Sequence, residues 1–293
     1  MAWKKEKTEE QVAKELQNEI DTELKNSKSK SRDSAKTHGE ILRDQIIDAL
    51  EVYDKRTTSL FTSSLTAGLE IGFSYLMLCT LYFFLMGKMD SHSIIRVISL
   101  VYPLGFIMVV LGQSILFTEQ TALLTLPVLN KKRSAVSMLR LWGIVIAGNM
   151  VGGYVISAIL LWLGPHLEIF NHEVVEVIAL HTLRTEIHVI FVSAIIAGWM
   201  MGLLSWLLAS SRDTISRIVM IYMITAVMSF AGLHHSIIGS VEVFSGMISS
   251  PAISVLDYLS FQSTALMGNA FGGAIFVALL KYRAFVFNIG SKN

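Results

Sequence analysis

Ala231-Gly232-Leu233-His234-His235-Ser236 lies within an apolar run, residues 215–248, that is long enough to reach through a lipid bilayer. Two adjacent histidines at that depth are costly against lipid, and an ionisable side chain inside a membrane faces a partner or a pathway. The glycine ahead of them marks a point where a helix can break. The stretch therefore predicts the centre of a conducting pathway.

The composition around it supports a membrane setting. The chain has 293 residues, 53% hydrophobic and 16% charged, which is the balance of a polytopic membrane protein. The charge is uneven. Residues 1–56 carry 12 Lys and Arg and 13 Asp and Glu, so 25 of the 47 charges precede the first apolar segment. The net charge of +1 averages a charged tail with an apolar body, and no basic patch points to nucleic acid. The single cysteine, Cys79, rules out an internal disulfide and reads as a small buried apolar residue. No cleavable signal peptide is expected, because the first 56 residues are polar and the first apolar run is too long for a signal core.

The tail divides in two. Val12, Leu16, Ile20 and Leu24 recur every four positions, a helical stripe on a charged background. Residues 27–39 are rich in Ser and Lys and read as a linker. Residues 40–56 are helical again, with Leu42, Ile46, Ala49, Leu50 and Tyr53 on one face. This second helix either lies on the membrane surface or packs under the pathway, or it is a solvated lead into the first span.

Six apolar segments follow, at about residues 60–86, 94–128, 135–163, 187–209 (with a start near Leu180 also open), 215–248 and 261–287. A span needs roughly 20 apolar residues. Segment two is much longer; as a straight helix its 35 residues would run about 52 Å. Segments two and five each hold a glycine and a polar cluster: Gly112-Gln113-Ser114 with Thr118-Glu119-Gln120-Thr121, and Gly232 with His234-His235-Ser236. Irregular backbone at such depth is tolerated only inside protein or along a cavity, so both segments are expected to be interrupted helices.

The chain also repeats itself. Gly148-Asn149-Met150-Val151-Gly152-Gly153 recurs as Gly268-Asn269-Ala270-Phe271-Gly272-Gly273, an offset of 120 at which Gly112 also meets Gly232. Three spans per repeat would invert the second half, giving a 3+3 inverted repeat over about residues 57–165 and 177–287 with a site at mid-membrane. The glycines serve close helix packing, while Asn149 and Asn269 act either as glue between helices or as support for broken backbone. Lys131, Lys132, Arg133, Arg212, Arg217, Lys281, Arg283 and Lys292 fall on one side, which predicts that both termini are cytoplasmic.

Four motifs in order now carry a resemblance. Gly112-Gln113-Ser114-Ile115-Leu116-Phe117-Thr118, Gly148-Asn149-Met150-Val151-Gly152, Gly232-Leu233-His234-His235-Ser236 and Gly268-Asn269-Ala270-Phe271-Gly272-Gly273 resemble the formate/nitrite transporter family over residues 57–287. The resemblance implies an all-α, aquaporin-like six-helix membrane domain at 57–290, a homopentamer in the inner membrane, and one pore per subunit for a small monovalent anion or its weak acid. It places the central pore histidine at His235, with His234 and Ser236 beside it. The pore threonine falls on Thr118, next to Leu116, and the apolar constriction on Tyr102, Phe106 and Met228. The chain departs from the family at His234, where an acid is usual, at Ile115, at Gly198 in place of an asparagine, and at Thr182 in place of a lysine, with Arg184 as a nearby substitute. It reads as a divergent branch with a long charged tail.

A mechanism follows. An anion in a narrow apolar pore loses its hydration. Interrupted-helix N-termini would supply partial positive charge and free N–H donors. His235 would supply a hydrogen bond or a proton, Thr118 a hydroxyl, and His234 support. Two other readings stay open: a channel for a small neutral solute, and a membrane anchor or sensor with a degenerate pore whose residues 1–40 meet a cytoplasmic partner. No nucleophile–base motif, P-loop or catalytic carboxylate pair appears, so no catalytic residue is assigned and the chain is not read as an enzyme. His166, His172, His181 and His188 lack metal-ligand spacing and are expected at the surface or an interface. Neither metal nor cofactor is expected.

Overall fold

The structure is a computed structural model and describes residues 9–26 and 36–290. Within them the chain is helical, with no β-strand beyond one bridge between Met86 and Met89 in a turn. The linker reading of 27–39 falls mostly on residues outside those described, as do the side chains of Val12 and Leu16 in the first stripe.

Five stretches are long and apolar enough to cross a bilayer: Thr57–Leu85, Ser91–Leu111, Ala135–His166, Ile187–Ser210 and Val255–Phe287. The first, third and fourth are the single helices α3, α8 and α10. The last joins α13 (Val255–Phe271), a π-helical stretch (Gly272–Leu279) and α14 (Leu280–Gly290). It begins six residues earlier than the hydropathy suggested, because Ser254 and Asp257 form a capping box there. Two shorter helices stand in the fifth segment, α11 (Thr214–Phe230) and α12 (Ser236–Ser249). At ~1.5 Å per residue they reach about 25 and 21 Å, each short of a ~30 Å core.

Segment two differs from expectation. It divides into α4 (Ser91–Ile98), α5 (Pro103–Leu111), α6 (Phe117–Leu123) and α7 (Thr125–Leu129). Pro103 begins α5 because its missing N–H costs nothing in a first turn. The fourth segment starts at Ile187 and not near Leu180: α9 (His172–Leu183) is a separate helix, and α10 runs Ile187–Ser210.

The spans pack in pairs through small residues, α3 on α8 and α10 on α13. A Cβ on Gly198 would collide with the backbone of Asn269. An asparagine at this position, as the resemblance would have it, therefore has no room.

The two N-terminal helices, α1 (Glu9–Asn26) and α2 (His38–Asp54), dock on the bundle. Leu42, Ile46 and Ala49 of α2 are buried, as are Ile20 and Leu24 of α1, against Leu126, Trp206, Tyr282 and Phe285. Polar bonds fix the position: Gln45 Nε2 donates to Ser205 O at 3.0 Å, Tyr53 Oη to Leu124 O at 2.8 Å, and Gln17 Nε2 to Asn130 Oδ1 at 2.8 Å. Of the readings left open for α2, packing beneath the membrane bundle is the one observed.

Candidate functional site

Two loops meet inside the bundle, 112–116 between α5 and α6 and 231–235 between α11 and α12. Their backbone turns differ from the sequence reading at one point. Gly232 has φ +67°, the left-handed conformation open to glycine, but Gly112 is right-handed at φ −73°. The left-handed residue of the first loop is Gln113, at φ 57°. Gly112 is needed for space instead, since a Cβ there would stand 2.7 Å from Met108 O.

The helices that follow begin on asparagines. Asn149 Oδ1 accepts from Phe117 N at 2.8 Å, and its Nδ2 donates to Ser64 O at 2.7 Å and Ile115 O at 2.9 Å. Asn269 does the same 120 residues on: Oδ1 accepts from Ser236 N at 2.8 Å, and Nδ2 donates to Ala194 O at 2.8 Å and His234 O at 3.1 Å. Each asparagine thus ties a neighbouring span to a loop and occupies a helix-start N–H. Ile237 N is taken as well, donating to His235 Nδ1 at 3.3 Å. The N–H groups of Phe117, Ser236 and Ile237 are therefore not the free donors that were expected.

His235 and Thr118 come together. His235 Nε2 lies 2.8 Å from Thr118 Oγ1. Because Nδ1 accepts from Ile237, the neutral ring carries its proton on Nε2 and donates to the threonine. The threonine keeps its own hydroxyl proton for another acceptor. Phe106 meets the His235 ring edge-on at 5.1 Å and stacks on Tyr102 at 5.3 Å. Leu116 and Phe106 are fully buried, and His235 is 2% exposed. Ser236 is buried, and its Oγ has no partner within the described residues. Met228 is buried in the same core, and its carbonyl accepts from Leu233 N at 3.0 Å, which braces the loop.

His234 turns to a different set. Its Nε2 donates to Thr182 O at 3.1 Å, and its Nδ1 accepts from Ser193 Oγ at 2.8 Å.

A cavity of about 90 Å³ opens above this centre. Tyr102, Thr182, Arg184, His234, His235 and Glu242 are among its walls. His181, expected at the surface or an interface, is half-buried and lines it too. Arg184 Nη2 lies close enough to Gly232 that an added Cβ would sit 3.5 Å from it. Glu242 and Ser193 were missed in the sequence, where no motif sets either apart within its largely apolar helix. On the opposite side a second cavity is walled by Gln45, Asp48 and Glu51 of α2 together with Gln113, Ser114, Glu119 and Arg217. Leu116, Phe106 and Thr118 line neither cavity.

Comparison with known proteins decides what this arrangement belongs to. The family model for the formate/nitrite transporter matches residues 39–283. The chain belongs to the formate/nitrite transporter family. Its sequence is 29% identical over 241 residues to the inner membrane protein YfdC of Escherichia coli (strain K12), covering 80% of this chain and 74% of that one. It is 25% identical over 191 residues to the uncharacterized transporter YrhG of Bacillus subtilis (strain 168), covering 63% and 70%. Two solved structures share the fold: an FNT family ion channel, with a TM-score of 0.75 at 20% identity over 84% of this chain and 98% of the other, and a pentameric formate channel with formate bound, with a TM-score of 0.66 at 18% identity over 78% and 98%. As a member of the formate/nitrite transporter family, the chain is a multi-pass membrane transporter or channel and not an enzyme.

Proposed function

We propose that the chain conducts a small monovalent anion, or its weak acid, past the Thr118–His235 pair. The observation that carries this reading is the 2.8 Å contact between His235 Nε2 and Thr118 Oγ1, set between two cavities on opposite sides. In such a dry centre an anion has little water left, and loss of its hydration opposes passage. His235 Nε2–H and the Thr118 hydroxyl replace part of that water when their mutual bond opens toward the solute. Phe106 and Leu116 keep bulk water out. His234, Ser236, Gly112, Gly232, Asn149 and Asn269 hold the two loops in place, and Tyr102, Phe106 and Met228 form the apolar constriction.

The wider reading has three parts. First, α5–α6 and α11–α12 are two interrupted helices of an inverted 3+3 repeat, supported by the 120-residue offset and the matching asparagine bonds. Second, residues 57–290 form the channel unit and 1–56 a cytoplasmic tail, supported by the basic residues on the α2 side. Third, the channel is a homopentamer in the inner membrane, supported by the relatives named inner membrane protein and pentameric formate channel. Any cytoplasmic partner of residues 1–40 would meet the exposed faces of the tail.

Flux into proteoliposomes tests the reading. Formate or nitrite uptake is expected, and His235→Ala should lower it by roughly 10–100-fold, the worth of a hydrogen bond to a charged group. Uptake unmoved by that change would sink the histidine mechanism. Flux of neutral solutes alone would favour the neutral-solute channel, and no flux of any small solute would leave an anchor.

A further inference from the structure

Glu242 is the one carboxyl among the walls of the cavity that leads to His235, and nothing described above gives it a task. It stands on α12 seven residues past His235, about two turns or 10 Å along the same face. It is 8% exposed. Its Oε2 lies 2.7 Å from Thr182 Oγ1. That hydroxyl also lies 3.2 Å from Ile178 O, one turn back on its own helix. One hydroxyl proton makes only one well-aligned bond at a time. Both contacts are satisfied when Thr182 donates to Ile178 and the carboxyl, in its acid form, donates to Thr182. The backbone carbonyl of Thr182 also accepts from His234, so the threonine joins the carboxyl to the histidine that stands where relatives have an acid.

On the reading of the pore as an anion pathway, we propose that Glu242 is a charge filter in the outer cavity. As a neutral acid it lets a monovalent anion reach His235, and as a carboxylate it turns the anion away. External pH then sets the rate of admission. The groups that face it are His181 and Arg184 from α9 and its end, His234 and His235 from the loop, Tyr75 and Cys79 from α3, and Tyr102 from the turn before α5. On another face of α12, Tyr258 of α13 bonds Ser240 at 2.8 Å and Tyr154 of α8 at 2.6 Å. Arg184 stays charged throughout, while a histidine that sheds its proton as pH rises weakens anion entry in the same direction as the carboxyl does, so the carboxyl is isolated by comparison with a variant that lacks it.

The test compares formate uptake by wild type and Glu242→Gln at several external pH values. Protonation of formate itself affects both proteins equally and cancels in their ratio. The ratio of variant to wild type should rise about tenfold from acid to alkaline pH, the size of one charge acting over about 10 Å. A constant ratio overturns the proposal. Thr182→Val keeps the carboxyl but removes the partner of its acid form, and should move the midpoint of the wild-type profile toward acid; an unmoved midpoint counts against the proposal. Infrared titration of the purified proteins reads the same group without any flux. A protonated-carboxyl band that fades with rising pH in wild type and is missing from Glu242→Gln supports the filter, and identical spectra overturn it. Absence of formate uptake by wild type would instead refute the anion pathway, while the infrared result still decides the titration of Glu242.

Discussion

At the scale of single residues, the two asparagines do more than their size suggests. Asn269→Ala would leave Ser236 N–H and the His234 carbonyl without this partner, while Ala194 O keeps its bond within α10. At ~1–3 kcal/mol per buried unsatisfied group, two such groups put the expected loss at about 2 kcal/mol or more, seen as a lower thermal midpoint of the purified protein; Asn149→Ala should match it. The left-handed residues of the two central loops, Gln113 and Gly232, make an opposed pair. Gln113→Gly should stabilise by about 1 kcal/mol, because a side chain in that conformation is strained. Gly232→Ala should cost about the same, because the space for a Cβ is adequate and only the backbone objects. Equal midpoints for both variants and wild type would remove strain from the account. The sequence could not tell Gln113 from Gly112 as the left-handed residue, since a glycine is the natural guess and the actual turn is settled by how α5 ends.

At the scale of elements, hydropathy made the long spans legible because each presents an unbroken apolar run. It could not divide α4 from α5, because the turn at 99–102 is itself made largely of apolar residues. Glu242 escaped notice for a similar reason: its partner Thr182 lies 60 residues away, and no local pattern announces the bond. The docking of α2 was left open because an amphipathic face fits a membrane surface and a protein surface alike. His38 on that helix now offers a handle. Its ring meets Trp206 edge-on at 4.9 Å, and Nε2 contacts Lys281 O at 3.0 Å. Burial lowers its pKa from 6.5; the bond to the Lys281 carbonyl works against this, and the Lys281 ammonium adds to the lowering. A histidine held below its unfolded value gives its full stabilisation above about pH 6.5, and that stabilisation is lost as pH falls toward the folded value. Limited proteolysis near α2 should therefore quicken below about pH 6.5 in wild type, and less so in His38→Phe. Equal acceleration in the two would remove His38 as the cause.

At the scale of the whole molecule, residues on the α2 side tie the tail to the rest. Arg133 Nη2 lies 2.6 Å from Asp54 Oδ1, and Lys132 Nζ 3.4 Å from Asp21 Oδ1. Tags at the two ends should be reached by protease from one face of the membrane only, and native mass spectrometry should give five copies; a monomer, or tags on opposite faces, would break the proposed architecture. One detail of the centre bears on the membrane as a whole. Ile237 N–H occupies His235 Nδ1, so the ring exchanges protons through Nε2 alone. Such a ring does not pass a proton in at one nitrogen and out at the other. If the proposed pathway runs past this pair, an energised membrane would host it without a proton leak relayed through the ring while no solute is passing.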